Sequence, residues 1–184
     1  MVKPLGPVVL DACVLYPTVM RRILLGLAET GLFQPIWSSR ILDEWARAAV
    51  RNHPDQGDIV AGEIAVCAGL WPESNVEPVP AVIDRLTLPD PDDTHVLATA
   101  VAAGSPLIVT LNLKDFPRRT LAPEGVEAQH PDQFARDLMD ENEDALRITV
   151  EAVRVEAERL SGQNRPVRKL LKKARMPRLG KALA

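Results

Sequence analysis

The sequence lacks the parts from which several common kinds of protein are made. Its two cysteines, Cys13 and Cys67, lie far apart and outside any CxxC or Cys/His spacing. They form neither a disulfide framework nor a zinc site, and read as core thiols in a reducing cytoplasm. No apolar run is long enough to cross a bilayer, and the opening MVKPLGPVVLDACVLYP meets an aspartate too early for a secretion signal. No GxGxxG follows the first apolar run, and neither GxxxxGKS/T nor GxSxG occurs. That removes the usual dinucleotide, P-loop and serine-hydrolase chemistries. A phosphatase with an aspartyl nucleophile would want a second aspartate two residues after Asp11, where Cys13 stands. The last twenty residues contain no acid at all.

What is present suits one compact domain with an appendage. The chain has 184 residues, 46% hydrophobic and 26% charged, enough for a sizeable core and too little charge for wholesale disorder. Its net charge of −3 hides an asymmetry. Residues 165–184 (RPVRKLLKKARMPRLGKALA) hold eight of the 22 Lys and Arg, leaving 14 basic against 25 acidic groups in the rest. A body of formal −11 thus adjoins a +8 tail, a layout that suits nucleic-acid or partner binding as well as plain solvated surface. The expected division is a body over 1–139 and a helical extension with a basic tail over 140–184.

Apolar periodicity alternates between strand and helix. Pro7-Val-Val-Leu-Asp11 reads as a buried parallel strand ending in an acid. Helical spacing over 20–30 stops at Gly31, a short strand fits 33–37, and Ser38 and Ser39 are natural caps for a helix over 41–50. A further helix runs to Leu70, and a Pro-rich connector leads to a helix over 93–103 that Gly104 ends. Leu107-Ile-Val-Thr-Leu111 is the clearest strand, residues 126–128 form a last one, and helices fit 131–139 and 144–160. This order predicts an α/β fold with a central, mostly parallel sheet flanked by helices.

Ligand sites of open α/β sheets lie beyond the carboxyl ends of the strands. Asp11 ends the first strand there, as a functional acid or as an ordinary turn residue. Asn112 ends another, with Asp115 just after it. On the helix from Ile41, Glu44 falls at the edge of the buried stripe defined by Ile41, Trp45 and Ala49, while Asp43 faces water. For Glu44 taken alone, pairing with a neighbouring base is the plainer reading. In LPDPDDTHVLATA, which crowds Asp90, Asp92 and Asp93 before an apolar helix, Asp93 lies on the inward face. Asp92 is then the expected cap, and His95 points away as a surface or supporting residue. If Asp11, Glu44, Asp93 and Asp115 converge, their repulsion calls for a cation. An all-oxygen set suits Mg²⁺ or Mn²⁺, ions that organise phosphodiester hydrolysis.

The stretches VVLDACVLYP, WSSRILDEWAR, LPDPDDTHVLATAVAAG and LIVTLNLKDFP, in this order and spacing, resemble PIN-domain proteins of the VapC-like kind, the toxin nucleases of type II toxin–antitoxin pairs. The resemblance covers residues 8–136 and continues more weakly into the tail, as in a longer subfamily. It implies a PIN-like fold and a metal-dependent endoribonuclease of the cytoplasm acting on single-stranded RNA. Catalytic Asp11, Glu44, Asp93 and Asp115 follow from it, with the metal on Asp11, Asp93 and Asp115, and Thr110 and Asn112 as polar supports. A small antitoxin protein is the implied partner, and a homodimer the expected assembly. Arg168, Lys169, Lys172 and Lys173 of the tail are candidates for the RNA backbone. A non-catalytic PIN-fold RNA-binding or scaffold protein is the alternative from another class, and a housekeeping ribonuclease without antitoxin the alternative within the enzymes. The tail itself has three readings: a disordered end, an RNA-holding arm, or a docked helical segment that Pro177 divides in two. Its five large apolar residues, Leu170, Leu171, Met176, Leu179 and Leu183, argue against the first.

Overall fold

The computed structural model describes residues 5–184, so the first four residues of the expected body, and of any leader, lie outside the described residues. Four short strands, β1 (Pro7–Leu10), β2 (Gln34–Ile36), β3 (Leu107–Val109) and β4 (Glu127–Gln129), form one sheet in the order β2-β1-β3-β4. Every pairing is parallel. In register, Val9 of β1 faces Ile36 of β2 on one side and Ile108 of β3 on the other. Val8, Val9, Leu10, Ile108 and Val109 are fully buried, as strands covered on both faces require. Pro35 has no amide to donate and sits in β2, an edge strand, where that loss is tolerated.

Ten helices surround the sheet among the described residues: α1 (Ala12–Leu15), α2 (Thr18–Glu29), α3 (Ser39–Asn52), α4 (Gly57–Leu70), α5 (Pro80–Arg85), α6 (Thr94–Ala103), α7 (Arg118–Leu121), α8 (Pro131–Ser161), α9 (Val167–Lys173) and α10 (Pro177–Ala182). The expected α/β architecture, a parallel sheet flanked by helices, is therefore present. The chain leaves β1 for β2 on one side and then crosses to β3 on the other. The carboxyl ends of β1 and β3 thus flank a topological switch point, where a crevice opens. Ser38 caps α3 as its position suggests, its Oγ accepting from Ile41 N at 3.4 Å. The two helices expected over 131–139 and 144–160 are continuous in α8, but bent between them. Asn142 takes non-helical angles (φ −139°, ψ 39°) and its amide donates to Leu138 O at 2.9 Å.

The tail is folded against the body. Leu170, Leu171, Met176 and Leu179 are buried, and α10 packs on both α8 and α9. The buried carboxylate of Asp132, in the first turn of α8, accepts from Arg178 N and Leu179 N at 2.9 Å each. This satisfies two of the orphan amides at the start of α10. At Gly180 a Cβ would approach Leu171 Cβ to 3.1 Å, so a larger residue there would force α9 and α10 apart.

One buried cation ties several helices together. Arg21 of α2 donates to Leu15 O at 2.6 Å and Tyr16 O at 3.1 Å, where α1 ends. It also pairs with Glu63 of α4 at 2.6 Å and lies 4.7 Å over the Trp45 ring of α3. Removing one partner from such a buried set leaves the others uncompensated. We expect Arg21→Ala to lower unfolding free energy by about 2–4 kcal/mol, read as a shift of the urea midpoint at constant slope.

Candidate active site

Asp11 directly follows β1, is buried, and is held by its neighbours in the sheet. Its backbone amide donates to Val109 O at 3.2 Å, and its Oδ2 accepts from Thr110 Oγ1 at 2.7 Å. Thr110 Oγ1 accepts in turn from Asn112 N at 3.0 Å. Cys13 Sγ also donates to Asp11 Oδ2, at 3.0 Å. Burial, followed by the Asp11 charge, pushes the Cys13 thiol far above its ordinary range. Cys13 is thus a neutral donor that helps to fix Asp11, with no thiolate to attack anything. Asn112 opens a turn of 3-10 helix over Leu113–Asp115, which carries Asp115, half-buried, around behind it.

Glu44 is half-buried on α3. Its Oε1 lies 3.2 Å from Arg40 Nε and 3.0 Å from His95 Nε2. The His95 contact is within ion-pair range but poorly aligned, and neither ring nitrogen of His95 has a well-directed hydrogen bond. Burial works to raise the Glu44 pKa, yet contact with His95 and then with Arg40 outweighs it and holds the carboxyl below its usual range. The expectation that His95 points outward to the surface is corrected here, while its alternative as a supporting residue agrees with its contact to Glu44. It is 2% exposed and faces inward onto Glu44. The wheel that turned it outward assumed a single buried face, whereas every residue from Thr94 to Ala100 is buried.

Asp93 occupies the cap position of α6, yet its side chain makes no capping bond. The preceding turn, Pro91–Asp93, is capped by Asp90, which accepts from Asp92 N at 3.0 Å. The capping role expected of Asp92 therefore falls to Asp90, and Asp92 is exposed with Arg40 3.5 Å away. Burial pushes the Asp93 carboxyl up to about 6, aided by the charges of Asp11, Asp90, Asp115 and Glu44. Asp93 is thus the electrostatic neighbour of the other three acids singled out in the sequence, which come from three further stretches of chain.

Asp11, Glu44 and Asp93 line an open cleft of about 1010 Å³, whereas Asp115 is not among its lining residues. Asp11, Glu44, Asp90, Asp92 and Asp93 make its acidic part, with the neutral amide of Asn112 beside them. Arg40, Arg47 and Arg51 of α3, together with Lys173 and Arg175 of the tail, make a basic margin. Of the tail cations expected to meet RNA, Lys173 lines the cleft, while Arg168, Lys169 and Lys172 are exposed on α9 outside it. The α3 arginines and Arg175 escaped the sequence reading. A signal for the former was present, since Arg40, Glu44, Arg47 and Arg51 follow a helical stripe.

The donor chemistry fits a hard divalent cation: oxygen ligands only, like charges crowded together, and one carboxyl proton held abnormally tightly. Among the described residues no three His, Cys, Asp or Glu side chains already stand together at metal-binding distance. An ion held by three of them would need these side chains to close in.

A parallel α/β sheet with acids gathered at its switch point is the class of protein that the geometry defines. Residues 7–114 match the PIN domain family, and the chain belongs to it. That span includes Asp11, Glu44 and Asp93 and ends one residue before Asp115. The chain is 45% identical over 58 residues to a Mycobacterium tuberculosis protein named "Putative ribonuclease VapC50", across 32% of this chain. It thereby spans about a third (34%) of that relative's length. No solved structure matches.

Proposed function

We propose that this chain is a metal-dependent endoribonuclease that hydrolyses single-stranded RNA in the cytoplasm, as the toxin of a toxin–antitoxin pair. The observation that carries this reading is that Asp11, Glu44 and Asp93, from three separate stretches of chain, line one cleft at the switch point of the sheet, with Asp115 close enough to add to the upward push on Asp93. The similarity to a protein named as a ribonuclease supports the substrate class. Asp11, Asp93 and Asp115 would hold Mg²⁺ or Mn²⁺, which supplies an activated water and charge stabilisation at phosphate. Thr110 and Cys13 keep Asp11 oriented through their bonds to Oδ2. Glu44, held deprotonated beside His95 and Arg40, accepts hydrogen bonds from water at the cleft wall. The basic margin offsets the repulsion between an acidic floor and a phosphate chain. A small antitoxin as restraint and a homodimer as the assembly belong to the same proposal, as does the division into a nuclease body over 1–139 and an extension over 140–184.

A second reading has one observation in its favour. Donors that are not preassembled suit an RNA-binding scaffold that never loads an ion. Metal titration separates the two. For the nuclease, millimolar Mn²⁺ or Mg²⁺ raises the melting temperature and RNA cleavage stops completely in EDTA. Robust cleavage in chelator would sink the metal mechanism, and a melting temperature indifferent to both ions together with no cleavage would favour the scaffold. No helix among the described residues is long and apolar enough to cross a membrane.

A further inference from the structure

Arg175 stands out because its backbone and its side chain point to different requirements. It follows α9 with φ +59°, and among the described residues no other non-glycine residue has a positive φ. Comparable left-handed positions after α6 and α8 are taken by Gly104 and Gly162. The turn closes with Met176 N donating to Leu171 O at 2.8 Å and Arg175 N donating to Lys172 O at 3.2 Å. This six-to-one plus five-to-two pattern ends a helix and favours glycine at the left-handed residue. An arginine here carries a strain that glycine would avoid, and the buried residues on either side of it hold the turn in place.

Arg175 is exposed and lines the cleft together with Asp11, Glu44 and Asp93. Arg154 and Arg159 of α8 are held by glutamates at 2.5–2.7 Å, whereas no carboxylate lies within ion-pair range of Arg175 among the described residues. The guanidinium is thus neither a packing element nor a satisfied surface pair. It is an unpaired cation on the basic margin of a cleft, close enough to His130 to disfavour a charge there, and the acidic part of that cleft would otherwise repel a polyanion.

We propose that Arg175 is a substrate-anchoring residue that binds a phosphate of the RNA strand entering the cleft, with Lys173 beside it as a second positive charge. A planar guanidinium suits bidentate contact with phosphate oxygens. Arg175 acts on binding, and the carboxylates act on the chemistry. This inference rests on the ribonuclease reading above.

The test compares the full-length wild type with Arg175→Gly and Arg175→Lys, using a short fluorescent single-stranded RNA of mixed sequence. Glycine relieves the left-handed strain, so Arg175→Gly is expected to keep or raise the melting temperature. It is also expected to raise KM about tenfold with kcat retained, and to flatten the salt dependence by about 0.7 in log–log slope, one phosphate contact's share. Arg175→Lys is expected to keep the salt slope. If Arg175→Gly melts well below the wild type, or leaves KM and the salt slope unchanged, the inference is overturned. Anisotropy with the same RNA keeps the two ideas apart. A wild type that binds but does not cut removes the nuclease reading, and Arg175 is then judged on Kd and its salt slope alone. A wild type that neither binds nor cuts removes both.

Discussion

Asp93→Asn is expected to reduce RNA cleavage by about a thousandfold or more, because a lost metal centre forfeits several kcal/mol of charge stabilisation and each ~1.4 kcal/mol is a factor of ten. The same substitution should not weaken the fold. In the folded protein the Asp93 carboxyl is pushed up to about 6 from an ordinary value of 3.8. A carboxyl that holds its proton more tightly when folded favours folding at low pH. That contribution is fully present below the ordinary value and is lost as pH rises through about 6. Above this window the ionised Asp93 burdens the metal-free protein by about 1–2 kcal/mol, a figure reduced for its partial exposure. Urea unfolding in EDTA should therefore give similar stabilities for wild type and Asp93→Asn near the ordinary carboxylate pKa. At pH 8 the variant should be the more stable. Added Mn²⁺ should stabilise the wild type and leave the variant unmoved. Asp43→Asn, on the exposed side of α3, is the matched control and should change neither property. An Asp93→Asn protein that unfolds, or that cleaves at the wild-type rate, would show that Asp93 has another role.

Deleting residues 165–184 is expected to leave a protein that aggregates or melts far below the full chain. From the charges alone, the deletion promises only weaker RNA binding with a flatter salt dependence. The structure adds a larger effect. Leu170, Leu171, Met176 and Leu179 are at most 4% exposed, and each buried side chain of this size contributes roughly 1.5–3 kcal/mol. Against a net stability of about 5–15 kcal/mol for a domain, losing four is severe. The deletion also strips Asp132 of both its amide donors, leaving a buried carboxylate without partners. Differential scanning calorimetry on the truncated chain checks this directly, and a cooperative transition at the full-length temperature would contradict it. Docking and RNA contact are compatible, since the segment that buries these residues also brings Lys173 and Arg175 to the cleft. Point substitutions at those two cations, and not truncation, isolate the RNA term.

The strands and the three acids within the family match were legible because their signals are local. Pro7-Val-Val-Leu is apolar on both faces, and Asp11 is simply the residue that ends it. Gly31 and Gly104 stop helices where a left-handed residue is needed. His95 was misplaced because a helical wheel describes one face of a half-buried helix, and α6 is covered on all sides by the sheet and its neighbours. The cap at Asp90 was missed because a 3-10 turn precedes α6 and shifts the start by three residues. Arg175 lay beyond reach for a different reason. Its significance comes from sharing a cleft with residues more than eighty positions away and from a backbone angle that arginine does not advertise. Composition showed an acid-free tail, but only packing selects which of its eight cations turn toward the carboxylates.

The Arg21 cluster bears on how an ion could be captured at all. Arg21 fixes the last carbonyls of α1, the helix that starts directly after Asp11, and it stacks on Trp45, the residue next to Glu44. Backbone positions on two sides of the cleft are therefore clamped from behind by one side chain. For the proposed ion site, main chain held in this way would leave the drawing together of the carboxylates to side-chain rotation. Recruitment then costs a few side-chain rotamers, typically ~0.5–1.5 kcal/mol for each one immobilised, and the scaffold behind them behaves as a rigid jaw with movable teeth.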